Sequence, residues 1–214
     1  NRMLPELHLR FPNEPKLHFI SSALHQENNR LELALSHIRL ARSLDPTSHD
    51  IQSKEAHLFH VAGKLDEATL ATEALVATHP DDLLMVKRLC LLKLLDNQLE
   101  DAVKHLSWLT EVESDDADLK LQYATALLRL ERPLEAKSQL LSARHLSPNQ
   151  GDIWALLAIV HAELEETMDA DIAFQNALRY APEHKHLRVA YARFLESEID
   201  PAKAAEQYRR ILAR

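Results

Sequence analysis

Proline and alanine recur in this chain with a period of 34 residues. Ser114 stands at the one position in the proline series where proline is missing, whereas the alanine series is complete. The recurring residues are Pro12, Pro46, Pro80, Pro148 and Pro182, and Ala34, Ala68, Ala102, Ala136, Ala170 and Ala204. A period of 34 residues with small residues at fixed phases predicts a solenoid of helix-turn-helix repeats. Such an array is one quasi-one-dimensional unit rather than a pair of globular domains.

The repeat boundaries follow when the recurring proline is placed at position 32 of each repeat. The predicted repeats span residues 15–48, 49–82, 83–116, 117–150, 151–184 and 185–214. Residues 1–14 are predicted to be the remnant of a preceding repeat, because Leu4, Leu7 and Pro12 fit the phases of a second helix. No polar capping helix follows the last repeat, so we expect additional repeats or another domain in the parent chain.

Three periodic positions predict how the helices pack. Position 3 is always apolar, position 8 is always small, and the invariant alanine stands at position 20. Apolar residues at this spacing form one helical face, and small residues let a second helix approach closely. Each repeat is therefore predicted to contain two antiparallel helices of about 12 to 14 residues, the second ending before the proline.

The fifth repeat resembles the tetratricopeptide repeat family. The family pattern is W-x2-L-G-x2-Y in the first helix, A-x3-F in the second, and a final proline. The matching residues are Trp154, Leu157, Ala158, His161, Ala170, Phe174, Ala177 and Pro182, with Ala158 replacing glycine and His161 replacing tyrosine. The resemblance implies an all-α fold, a right-handed superhelical solenoid of about six such repeats.

Composition narrows the range of partners. The net charge of −8 disfavours binding to phosphate backbones, so no nucleic-acid partner is expected. No apolar run is long enough for a transmembrane helix, and we expect no direct membrane insertion by this segment. We expect a soluble segment that is cytoplasmic or periplasmic, and the single cysteine does not decide between these compartments.

No enzyme motif is found, and no catalytic residue or cofactor is predicted. With only Gly63 and Gly151 there is no phosphate-binding loop and no nucleophile elbow. Gly63 falls in the turn between two helices, where a left-handed backbone is often needed. Cys90 occupies the small packing position, which predicts a buried and inert thiol. The adjacent acids Glu165 and Glu166 are predicted to be solvated.

The 13 histidines are unusual for a chain of this length. His57 and His60 would share a helix face, but no carboxylate or cysteine recurs beside them at ligand spacing. His184 and His186 lie near a helix start and point in different directions. We therefore expect partly solvated helical histidines and no metal site.

The resemblance also implies where a partner binds. In this family the first helices line a concave groove through positions 2, 5, 9 and 12, which form one stripe. The residues predicted to contact a partner are Phe19, His57, Leu84, Lys87, Leu91, Leu94, Leu121, Leu128, Ile159 and Arg193. Their apolar members either bind a partner or pack against neighbouring first helices. Leu91 and Leu121 are the predicted central anchors.

Position 6 tests two subclasses of the family. Members that bind the acidic C-terminus of chaperones use a clamp of Lys, Asn and Arg, and sugar-transferase repeat domains carry an asparagine ladder. Here position 6 holds Ile20, Lys54, Arg88, Gln122, Leu156 and Ala190, which matches neither pattern.

These observations predict a non-catalytic scaffold that binds a protein or peptide segment within a multicomponent assembly. The alternative is a repeat appendage that positions an enzyme or an outer-membrane export domain. Proteins of bacterial polysaccharide secretion and of cytochrome maturation are similar in carrying such appendages.

Overall fold

The computed structural model describes residues 3–198 and 200–212, and these residues form thirteen α-helices and no β-strand. Helix α1 spans Met3–Arg10. The first helices of the repeats are α2 (Pro15–Glu27), α4 (His49–Val61), α6 (Leu83–Leu95), α8 (Ala117–Arg129), α10 (Gly151–Glu163) and α12 (Lys185–Glu198). The second helices are α3 (Leu31–Leu44), α5 (Leu65–Thr78), α7 (Leu99–Val112), α9 (Pro133–Leu146), α11 (Thr167–Tyr180) and α13 (Pro201–Leu212). The predicted all-α fold of about six helix-turn-helix repeats is confirmed.

The predicted packing positions are buried. All six recurring alanines are at most 2% exposed, and the small residues at position 8 are at most 1% exposed. The latter are Ser22, Ala56, Cys90, Ala124, Ala158 and Ala192. A side chain as small as that of alanine, serine or cysteine lets a neighbouring helix approach closely, and the apolar residues around it fill the remaining space.

The second helices end where the sequence predicts. Each of α3, α5, α9 and α11 ends two residues before its proline. The residue directly before the proline has left the helical region, as at Asp45 with φ −134° and ψ 85°. Proline disfavours helical geometry in the residue before it, which explains the stop. Helix α7 also ends at Val112, two residues before Ser114, so the proline is not required at every repeat.

A left-handed residue closes the first helix of five repeats. Gly63 has φ 73°, as its position predicted, and φ lies between 55° and 59° at Asn29, Asn97, Glu131 and Glu165. Two backbone hydrogen bonds fix each turn; in the fifth repeat the N–H of Glu165 donates to the carbonyl of Ala162, and that of Glu166 to His161. This pairing is the Schellman motif, which prefers glycine at the left-handed position. From the sequence, a left-handed backbone was predicted only at Gly63.

The chain divides into two compact units, which we call unit 1 (Asn1–Gln98) and unit 2 (Leu99–Arg214). Unit 1 contains α1 to α6, and its core includes Leu35, Ile38 and Leu58. Unit 2 contains α7 to α13, each helix packing on the next.

Candidate functional site

In unit 1, the predicted partner-binding residues lie on α2, α4 and α6. Leu84 is 61% exposed and Leu91 is 43% exposed, so these two leucines are not covered by their own unit. Four other predicted residues are half-buried: Phe19, His57, Lys87 and Leu94. The structure thus leaves part of the predicted stripe open to solvent on α6.

In unit 2, the predicted residues lie on α8, α10 and α12. Leu121 and Leu128 on α8 are half-buried, whereas Ile159 on α10 is 38% exposed and Arg193 on α12 is exposed. None of the ten predicted groove residues in the two units is fully buried. Their role in binding stays a prediction.

Unit 1 also contains a pocket lined by basic side chains. Two of the predicted partner-binding residues, Phe19 and His57, form part of its wall. The pocket has a volume of about 260 Å³. It is lined by Phe19, Asp50, Ser53, Lys54, His57 and Arg88. We call the group formed by Lys54, His57 and Arg88 the basic cluster. It combines side chains from the consecutive first helices α4 and α6.

Hydrogen bonds to neutral groups hold the basic cluster in place. The Lys54 ammonium donates to Oε1 of Gln26 over 2.6 Å, and Nε2 of Gln26 lies 3.0 Å from Nε2 of His57. Arg88 donates to the backbone carbonyl of Ser53 over 3.0 Å. Because the three basic side chains are held by an amide and a carbonyl, their geometry is set without a bound anion.

Neither Lys54 nor Arg88 forms an ion pair with a carboxylate in the part of the chain that the structure describes. Other cations of the same unit do, as when Arg42 contacts Glu55 over 2.8 Å. A guanidinium offers five N–H donors in a planar fork, and only part of that capacity is used here. Arg88 therefore retains N–H donors that are not engaged by a carboxylate of the described residues.

The pKa values of all three side chains in the basic cluster are lowered. Burial lowers the pKa of Lys54 and that of Arg88, with Glu27 and Asp82 respectively opposing the shift from longer range. Burial also lowers the pKa of His57, and the nearby charges of Arg88 and Lys54 lower it further. All three shifts disfavour the protonated forms, and a bound anion would reverse that penalty.

The remaining candidates for chemistry have structural explanations. Cys90 is 1% exposed, and burial raises the pKa of its thiol to about 12, as expected for an inert packing residue. Glu166 is partly exposed, and in addition it has two basic partners. Its carboxylate accepts a hydrogen bond from Lys137 over 2.6 Å and lies 2.5 Å from Nδ1 of His161, so it belongs to an ion-pair network.

The structure also brings together histidines that sequence reasoning did not connect. His8 on α1, His18 on α2 and His37 on α3 each place one ring nitrogen within 4.8 Å of the others. We call these three residues the histidine cluster. No short sequence motif could have revealed it, because each histidine comes from a different helix. The four histidines considered from the sequence, at positions 57, 60, 184 and 186, lie elsewhere on the chain.

Solved structures with a similar fold come from repeat proteins. The C-terminal part of a tetratricopeptide-repeat protein from Cytophaga hutchinsonii superposes with a TM-score of 0.82 at 16% identity, covering 99% of this chain and 88% of that one. YrrB, described as a tetratricopeptide-repeat protein with an unusual peptide-binding site, superposes with a TM-score of 0.77 at 18% identity, covering 87% of this chain and 96% of that one. This chain has the tetratricopeptide-repeat fold.

Sequence similarity is more local than this shared tetratricopeptide-repeat fold. The human protein O-mannosyl-transferase TMTC3 is 34% identical over 91 residues, which are 42% of this chain and 10% of that protein. No protein-family model matches the chain. None of the described helices is both long and apolar enough to cross a membrane.

Proposed function

We propose that this tetratricopeptide-repeat chain is a non-catalytic interaction scaffold and that unit 1 binds a peptide segment of a partner protein. The segment carries a carboxylate with apolar side chains beside it. The observation that carries the proposal is the basic cluster, whose Lys54 and Arg88 are half-buried and lack a carboxylate partner among the described residues.

The polar part of the proposal rests on charge complementarity. Lysine and arginine are ordinarily protonated at neutral pH, so these two cations outnumber the one carboxylate in the pocket lining, that of Asp50, within a chain whose net charge is −8. Partial burial weakens the hydration of Lys54 and Arg88, which strengthens their attraction to an incoming anion. A carboxylate would accept charge-assisted hydrogen bonds from both side chains.

The apolar part of the proposal rests on helical spacing. Leu84 lies four residues before Arg88 on α6, and Leu91 lies three residues after it. Residues at these separations share one helical face, so the two exposed leucines flank Arg88 along α6. Exposed leucines beside a fixed charge favour a ligand that combines an acidic side chain or C-terminal carboxylate with apolar neighbours. The peptide-binding site described for YrrB supports this class of ligand by analogy of fold alone.

Unit 2 presents apolar and basic side chains on its own first helices. Ile159 and Arg193 are exposed on its first helices, and Leu121 and Leu128 are half-buried. We propose that this stripe also contacts protein partners. The positions in unit 2 that correspond to the basic cluster are neutral, so we expect it to contribute no carboxylate recognition.

Selection from a random peptide library displayed on phage tests the proposed function. We expect the full chain to enrich peptides with an aspartate, a glutamate or a free C-terminus next to apolar residues. The double variant Lys54→Ala, Arg88→Ala should lose these peptides while keeping its helical circular dichroism. The matched control is Gln122→Ala, which changes the exposed residue of unit 2 at the Lys54 position. Equal retention of the peptides by the double variant would reject the proposal.

A second candidate function is favoured by the local similarity to TMTC3. A repeat segment that matches 10% of a protein named as a mannosyltransferase is compatible with an array attached to a catalytic or export domain. In that case the array would position the attached domain rather than recruit a free partner. Sequencing the complete coding region distinguishes the two, because a long non-repeat domain adjoining the array would favour the appendage.

A further inference from the structure

We propose that the histidine cluster of unit 1 binds a divalent transition-metal ion, with Zn²⁺ as the ion of choice. His8, His18 and His37 would supply three imidazole nitrogens, and solvent would complete the coordination. This inference departs from the expectation of no metal site that the sequence motifs gave. It does not depend on the proposed peptide site.

The tautomer of His18 leaves the correct nitrogen free. Its Nε2 lies 2.9 Å from the backbone carbonyl of Pro12. A carbonyl can only accept a hydrogen bond, so Nε2 carries the proton and Nδ1 of the neutral ring keeps its lone pair. Metal-binding histidines commonly donate their second ring nitrogen to a backbone carbonyl in this way, which fixes the ring and raises its basicity.

The spacing between His18 and His37 fits a tetrahedral ion. Their Nδ1 atoms are 3.3 Å apart. With zinc–nitrogen distances of about 2.0–2.1 Å, two ligand atoms of a tetrahedral site are separated by about 3.3 Å. A direct hydrogen bond between the two rings would give a similar separation, so a bound ion must be distinguished from a shared proton by experiment.

The third ligand is held close to the other two. The ring centroid of His8 lies 4.6 Å from that of His18 and 5.4 Å from that of His37. Its Nε2 lies 2.8 Å from the hydroxyl of the buried Ser21, which orients the ring. An ion bound by all three rings would connect α1 to the hairpin of α2 and α3.

The chemistry of the three side chains limits which ions can bind. Imidazole suits zinc, copper and nickel, whereas magnesium and calcium prefer oxygen ligands.

A second group of potential ligands in unit 2 is less suited. His161, Glu166 and Asp169 also place one ligand atom each within 4.8 Å of the others. There, however, both carboxylate oxygens of Glu166 accept hydrogen bonds from Lys137, at 2.7 Å and 2.6 Å. The ammonium of Lys137 already neutralises this carboxylate and stands where a metal ion would have to bind. The metal-site proposal is therefore confined to unit 1.

Titration of the metal-free full chain with Zn²⁺ at neutral pH tests the proposal, with calorimetry as the readout. We expect one ion per chain at the tightest site and a rise in melting temperature. His8→Ala and His37→Ala should each weaken binding by about 100-fold and abolish the rise. The control His145→Ala removes an exposed histidine of unit 2 and should change neither result.

Cobalt provides a readout that is independent of stability. Co²⁺ bound at the histidine cluster should show the visible absorption of a tetrahedral site in the wild-type chain and in His145→Ala, but not in His37→Ala. Circular dichroism checks that each variant is folded. Failure of the wild-type chain to bind Zn²⁺, or equal affinity in His8→Ala and His37→Ala, would overturn the proposal and leave the cluster as hydrogen-bonded packing.

Discussion

Helices α4 and α6 of unit 1 and helices α8 and α10 of unit 2 repeat the same backbone with different chemistry at equivalent positions. Unit 1 carries the basic cluster at positions 54, 57 and 88, and the equivalent residues 68 positions later are Gln122, Thr125 and Leu156. Thr125 donates its hydroxyl hydrogen bond to the carbonyl of Leu121 within its own helix, over 2.8 Å. The three residues of unit 2 are neutral, so they offer no charge to an anion.

This difference separates two roles that residues play in a repeat. The recurring alanines and the small residues at position 8 are buried and determine how the helices pack. The residues at positions 6 and 9 change between repeats and are half-buried or exposed, and we propose that they determine what each unit can bind. The comparison predicts that substitutions at the recurring alanines lower stability alike in both units. Substitutions at the variable positions should instead affect binding differently in the two units.

The largest expected effect is at the recurring alanines. Ala68→Arg in unit 1 and Ala136→Arg in unit 2 should each lower the free energy of unfolding by about 3 kcal/mol or more, because overpacking is combined with a buried charge. Urea denaturation measures the loss. Leu134→Arg is the control, since Leu134 is 71% exposed. An unchanged midpoint in either alanine variant would break the equivalence of the two units.

The next effect concerns the exposed leucine beside the basic cluster. Leu91→Glu should weaken binding of a selected acidic peptide by about 2 kcal/mol, because interface energy concentrates in a few desolvated contacts. Its unfolding free energy should change by only about 0.5 kcal/mol. Leu70→Glu, which changes an exposed leucine on α5, should leave the affinity unaltered. Unfolding of Leu91→Glu would instead assign the leucine to internal packing.

The smallest effect is a stabilisation at the left-handed turns of unit 2. Glu131→Gly and Glu165→Gly should each raise the free energy of unfolding by about 1 kcal/mol, because glycine adopts positive φ without strain. Gly63→Ala in unit 1 should lower it by a similar amount, although a Cβ at Gly63 would meet no atom within 4 Å. Thermal denaturation measures all three. A loss of stability in both glutamate variants would show that these side chains contribute more than the backbone strain costs.

Much of the fold could be predicted from the sequence because packing recurs with the period. The recurring alanines and the residues at position 8 are buried as expected. The left-handed turns were predicted only at Gly63, because Glu131 and Glu165 give no residue signal for positive φ. Their conformation is imposed by the two backbone hydrogen bonds of the turn, which any residue can make.

The candidate sites were harder to predict because they combine side chains from different helices. Periodicity places Leu84 and Leu91 on one face of α6, and both are exposed. The signal for the basic cluster was present in Lys54 and Arg88 at position 6 of consecutive repeats, but their lack of carboxylate partners required coordinates. The histidine cluster depends on the loop at Pro12, whose carbonyl fixes the tautomer of His18.

A double-mutant cycle across the peptide interface tests the central claim, that Arg88 recognises a carboxylate. The cycle compares wild-type chain and Arg88→Gln, each titrated by calorimetry with a selected peptide and with its Asp-to-Asn form. We predict that each single change weakens binding about 10-fold and that both together weaken it by little more, which corresponds to a coupling energy of about 1.4 kcal/mol. Independent effects that multiply to about 100-fold would show that Arg88 and the carboxylate do not interact, and would contradict the account.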